Sequence, residues 1–251
     1  MTTEIELFST QVLIALGLPP NNMDVAGHAN TTTAFVTIDA FDGQRALRVI
    51  EALENHRNGD NSNWNDLISN DEELRTRLRQ QELDTPEDRD SISWDDATLL
   101  FVSCLEKNAS GQKYSLGDGR IRDRFGRFPW GDGSSLNYLL EFIRPPLTNS
   151  AIVERIECEE IVDLLEKLTG KCCEEQVGHN NYQNGSGGMD IRGFLDSREV
   201  YTLRKGLAGR GWGVSGEEPL DGGVRDVVKH LSSILKAAER NGVGIVLRYH
   251  Q

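Results

Sequence analysis

Residues 117–127 hold the densest set of groups in this chain that could do chemistry. Arginines stand at 120, 122, 124 and 127, and glycines recur at 111, 117, 119, 126, 131 and 133. Backbone amides freed by glycine can face an anion, and arginine forks can hold it at two points. The segment has no Lys-Ser/Thr of a phosphate-binding loop. Nor is it the Gly-x-Gly-x-x-Gly that follows a strand in dinucleotide folds. Three readings of Arg120, Arg122, Arg124 and Arg127 stay open: ion pairs with acidic parts of the chain, a site for a phosphorylated or nucleotide ligand, and catalysis.

Asp118, Asp123 and Asp132 share this stretch, but arginines occupy the intervening ligand positions, so the calcium-loop spacing fails. The histidines are scattered. His28 and His179 lie in polar segments, His56 ends a helix where it offsets the dipole, His230 sits on a helix face and His250 is next to last. Cys104 falls in an apolar helical run and reads as core, and the four cysteines at 104, 158, 172 and 173 show no secreted-type pairing pattern. Cys172, Cys173 and His179 form a partial metal set that lacks a further pair at ligand spacing. No Gly-x-Ser-x-Gly, His-Glu-x-x-His or Cys-x-x-Cys occurs. These residues imply no catalytic group, metal or cofactor.

Charge says more. The chain carries 27 Lys+Arg and 40 Asp+Glu, a net charge of −13. Residues 1–110 hold 20 acids and 8 bases, and residues 111–251 hold 20 acids and 19 bases. The acidic excess therefore belongs to the first part. Such a field repels nucleic acid and anionic membrane and attracts basic proteins. Asp71, Glu72 and Glu73, with the acids at 87–90, are the expected docking charges. Trp64 or Trp94 would be the apolar anchor beside them, although Trp94 also reads as core. No apolar run reaches the length of a membrane span, and the acidic start lacks a basic signal region. A cytoplasmic protein is expected.

The elements that must position these groups alternate between helical and extended patterns. A helix is predicted over 4–17, then a strand over 31–39. Asp42 caps a helix to residue 56 with Leu47, Ile50 and Leu53 as its stripe. Trp64, Leu67, Ile68, Leu74 and Leu78 mark a helical region broken near residues 69–70. Residues 82–91 form an exposed acidic loop. Ser93 and Asp96 open an apolar helix from 94 to 107, and a further helix covers 134–143. Residues 159–168 are helical, and the first few residues of 151–169 could be extended. Residues 178–188 read as a flexible surface loop. Asp196 or Ser197 caps a helix carrying Val200, Leu203 and Leu207. Asp221 or a neighbour starts a long amphipathic helix, and residues 244–249 close as a strand.

The last part resembles a family. Gly193-Phe194-Leu195-Asp196-Ser197-Arg198-Glu199-Val200 opens a helix with an early Glu. A long amphipathic helix runs through Lys236–Arg240. Residues 242–250 then close as an apolar strand with an aromatic residue and a His. This arrangement is similar to the YfbM-like bacterial proteins of unknown function, over about residues 117–251. The resemblance implies an α+β fold, mostly helical, with several helices packed around a small sheet that includes a C-terminal strand. It carries no catalytic residues. It implies an accessory, regulatory or immunity component of a bacterial defence or toxin system, including antiviral defence. Residues 1–110 would be an acidic, mainly helical part and 111–251 the YfbM-like part, as two units or one continuous body.

Overall fold

The computed structural model describes residues 35–117, 123–146, 152–170, 180–183, 185–186 and 189–250. The helix expected over 4–17 lies outside them. The described chain opens as strand β1 (Phe35–Phe41). Its alternation divides the molecule: Val36, Ile38 and Ala40 enter one core, and Phe41 the other.

Asp42 caps α1 (Gly43–Arg57), its Oδ1 accepting from the Arg45 amide at 2.9 Å. Ala46, Val49, Ile50, Ala52 and Leu53 form the buried face. Leu47, expected in that stripe, is 50% exposed. It sits about 100° round the helix from Ala46, outside the arc the others share. Then come α2 (Ser62–Asn70) and α3 (Glu72–Arg79), with the break at Asp71, one residue beyond the expected 69–70. A 3₁₀ turn at Arg89–Ser91 leads to α4 (Asp96–Cys104). This helix is shorter at both ends than its apolar run. Asp95 rather than Ser93 caps it, accepting from Thr98, and Leu105 leaves it to bridge Phe41.

The second part runs β2 (Arg124–Phe125), α5 (Ser135–Phe142), β3 (Ile143–Arg144) and α6 (Ile152–Thr169). The stretch left open before residue 159 is thus helical from Ile152. After α7 (Asn180–Gln183) come β4 (Met189–Leu195), α8 (Ser197–Ala208), β5 (Gly213–Val214), α9 (Gly223–Asn241) and β6 (Gly244–His250). The Asp196–Glu199 capping box that starts α8 is complete. The flexible-loop reading of 178–188 is corrected by its described residues. Tyr182 is fully buried, and Asp95 accepts hydrogen bonds from both the amide and the hydroxyl of Ser186.

The four-stranded antiparallel sheet has the order β2-β1-β6-β4, with β6 inside it. Strands β3 and β5 form a separate ribbon. The main sheet is covered on both faces. Helices α1 to α4, with Tyr182 of α7, pack where Phe41, Ile191, Phe194 and Val246 point. Helices α5, α6, α8 and α9 pack where Ile38, Ile245 and Leu247 point. Ile245 and Leu247 thus oppose Val246, as alternation requires. The fold is α+β, mostly helical, around a small antiparallel sheet. The acidic first part supplies one helical layer, and the second part supplies the other. They share the sheet, because β1 pairs with β6 along its full length. Gly193 sits at a bulge in β4, where a Cβ would strike the Lys167 and Leu168 carbonyl oxygens at the end of α6.

Candidate functional site

Two members of the expected docking triplet prove to be fasteners. Asp71 caps α3 through the Leu74 amide, and its Oδ2 meets Arg45 at 3.3 Å and Arg48 at 3.6 Å. Glu73 joins two buried guanidiniums, Arg45 and Arg77, each at 2.8 Å. Burial opposes the charge on Glu73, but the two arginines outweigh it and hold the carboxyl below its ordinary range. Arg77 carries the chain onward. Its Nη1 donates to the carbonyls of Leu105 at 2.6 Å and Ser103 at 3.0 Å, at the C-terminal end of α4. Those oxygens have no partner within the helix, and a cation there also meets the dipole. The cluster therefore ties α1, α3 and α4 together. Glu72, paired with Arg75, projects from the surface, and Glu73 stays 65% exposed beside its two arginines.

Trp64 is not a docking anchor. It is fully buried, and its Nε1 donates to the Pro86 carbonyl at 2.9 Å. Trp94 is buried too. Of the four arginines, Arg120 and Arg122 lie outside the described residues, as do Asp118, Cys172, Cys173 and His179. Arg124 lies over the Phe35 ring at 5.2 Å, and Arg127 runs along Gly133. Among the described residues neither makes an ion pair.

The sheet carries a buried polar end that the sequence pattern did not reveal. Asp39 and Arg248 both point into the layer of α1 to α4, where Arg248 lies 4.1 Å from the centre of the Phe101 ring. Lys113 approaches the other Asp39 oxygen at 3.2 Å. Burial raises the Asp39 pKa, but Arg248 and Lys113 outweigh it and hold the carboxyl low. Next along β6, His250 stacks on Phe35 at 4.4 Å and shares a 2.8 Å hydrogen bond with Thr37. Burial, reinforced by Arg248, pushes the imidazole down to about 3. On the opposite face Asp190 is pushed up to about 6 by burial, against its 2.7 Å pair with Arg192.

Two concave surfaces among the described residues offer room for a ligand. One is a groove of about 350 Å³ between α1 and α2, lined by Glu51, Asp66, Asn63, Asn70 and Leu67. Glu51 and Asp66 are exposed and make no ion pair among the described residues. Arg48 also lines the groove, with its guanidinium engaged by Asp71. Leu47 precedes Glu51 by one helical turn on the exposed side of α1. The other is a cavity of about 440 Å³ between the 130–132 turn, α5 and α6. Trp130, Tyr138, Asp132, Glu141 and Glu166 line it. Neither Glu51 and Asp66 nor Glu141 and Glu166 stood out in the sequence. Each pair is far apart in the chain and meets only through helix packing.

Among the described residues no cluster of histidine, cysteine and carboxylate side chains could hold a metal ion. No described helix is long and apolar enough to cross a membrane. Comparisons with protein-family models, curated proteins and solved structures found no match to this chain.

Proposed function

We propose that this is a binding protein that docks a basic polypeptide on the acidic layer formed by α1 to α4. The observation that carries the reading is the α1–α2 groove. Two carboxylates, Glu51 and Asp66, flank it without internal counter-ions, beside the half-exposed Leu47. A lysine or arginine seated between them would neutralise charge that the fold leaves uncompensated, while its neighbour covers Leu47. Residues 35–110 hold 17 acids and 8 bases, so long-range attraction would steer the same partner. The narrower class, an accessory or immunity component of a bacterial conflict system, draws its support from the resemblance of the closing segments alone.

The docking charges differ from those read in the sequence. Glu51 and Asp66 replace Asp71 and Glu73, which are already paired with arginines of the same chain. The test is capture from host extract by the wild-type chain and by an E51Q/D66N variant, at low and high salt. A basic protein held by the wild type, released by salt and lost from the variant, supports the reading. Capture indifferent to both changes overturns it. Loss on replacing Arg124 and Arg127 instead would shift the site to the arginine-glycine segment.

A further inference from the structure

We infer that the cavity between α5 and α6 is a second binding site, one that takes an organic cation of side-chain size, an alkylammonium or guanidinium group. It lies on the opposite helical layer from the α1–α2 groove and does not depend on the docking proposed there.

Its walls combine two features that favour a cation independently. The first is aromatic. Trp130 meets Tyr138 and Phe142 at interplanar angles of 75° and 68°, so neither ring stacks flat on it, and it remains 37% exposed. Phe128 and Phe142 brace Tyr138 from ring-centre distances of 4.6 and 4.8 Å, which fixes the aromatic wall. Among the described residues, no cationic side chain lies over Trp130 or Tyr138. Ring faces attract cations, and tryptophan does so most strongly.

The second feature is charge. Asp132, Glu141 and Glu166 all line the cavity, and none makes an ion pair among the described residues. Two are held in place by neutral donors. The Trp130 Nε1 donates to Glu141 at 3.1 Å, and Asp132 accepts from the Ser134 amide at 2.9 Å. These bonds orient the carboxylates without neutralising them. Asn137, on the same wall, donates its side-chain amide to Asp132 Oδ2 at 2.5 Å. Arg127 lies along Gly133 and is not part of the lining. A volume of about 440 Å³ falls within the usual range of small-ligand sites. An anion would meet three like charges there, and a neutral apolar ligand would leave them unused.

Two sources could present such a group, a free amine or the side chain of a peptide. Calorimetry and amide NMR on the whole chain would separate them, using agmatine as the free cation and an acetylated, amidated Gly-Arg-Gly peptide as the tethered one. N-butylurea serves as the neutral control. The expected result is saturable binding of at least one cation, with shifts at Trp130 and Glu141, and none of N-butylurea. Binding should weaken at least tenfold in W130A and in E141Q/E166Q. The second variant preserves the aromatic packing and so separates lost binding from lost folding. Binding of agmatine but not of the peptide assigns the site to free amines, and the reverse assigns it to a polypeptide. Absence of binding by either cation, equal binding of N-butylurea, or an unchanged affinity in E141Q/E166Q would overturn the inference. Variants of Glu51 and Asp66 should leave agmatine binding unchanged, so the two sites fail or stand separately.

Discussion

Arg248 places both Nε and Nη2 on a single oxygen of Asp39, Oδ2, at 2.8 and 2.6 Å. The two residues stand in adjacent central strands on the same face, within the layer otherwise filled by leucine, tryptophan and phenylalanine. Taking both charges from water is costly, and the pair persists only because each answers the other. Its structural effect is on register. A slip of β6 by one residue would turn Arg248 toward the opposite apolar core and leave Asp39 facing it no longer.

Replacing Asp39 with Ala should therefore cost about 3–5 kcal/mol, because an uncompensated guanidinium stays buried. The double replacement Asp39→Leu with Arg248→Met should recover most of that loss. Urea unfolding of the three proteins would show it, and equal stability of the single and double variants would contradict it.

His250 gives the acid limb of stability a definite sign. Its folded-state pKa is about 3, against an ordinary value near 6.5. Between those values the unfolded chain binds a proton that the folded chain refuses. This contribution is therefore complete above pH 6.5 and declines as pH falls through the window to 3. Asp190, raised to about 6, acts oppositely: its burial favours the folded state as pH falls from 6 to 4. His250→Gln should flatten the decline seen in urea unfolding between pH 6.5 and 4, and Asp190→Asn should steepen it.

The acidic triplet should divide by position. Asp71→Ala removes the cap of α3 and a partner of Arg45, a loss of about 1–2 kcal/mol. Glu72→Ala, at an exposed pair with Arg75, should change stability by no more than about 0.5 kcal/mol. Denaturation midpoints compared at one salt concentration would decide between this division and three equivalent surface acids.

Gly193→Ala should be among the most damaging single-methyl changes. The added carbon meets backbone oxygen at the end of α6, which no rotamer can avoid. We expect a loss of about 3 kcal/mol or more. Gly216→Ala, where a Cβ meets nothing, is the control and should stay within about 0.5 kcal/mol.

Much of the architecture was legible because it follows from local chemistry. Asp42 and Asp196 announced their helices as caps, and Val224, Val227, Leu231 and Leu235 traced α9 by period alone. The alternation of Ile245, Val246 and Leu247 gave a strand with two covered faces. What escaped was non-local. Tyr182 sits among glycines and asparagines, so its segment looked solvated, yet the first-part core receives its ring. Asp71 and Glu73 read as surface charge because their shared partner Arg45 stands 26 and 28 residues away. The cavity at Trp130 needs Glu166, supplied by the next helix. Asp39 is 209 residues from Arg248, and no spacing rule reaches that far.

That separation bears on how the chain folds. Strand β6 is made some two hundred residues after β1, the neighbour it must find. Until β6 arrives, β1 and β4 each keep a row of unpaired amides and carbonyls beside an apolar face, which is the kind of edge that recruits other chains. Closing so long a loop adds little to the equilibrium cost, since loop entropy grows only logarithmically. It slows the search instead, because native contacts that remote reward the chain late. Refolding should be slow for a protein this helical, with helix content returning first and the β1–β6 pairing setting the rate at which aggregation is escaped.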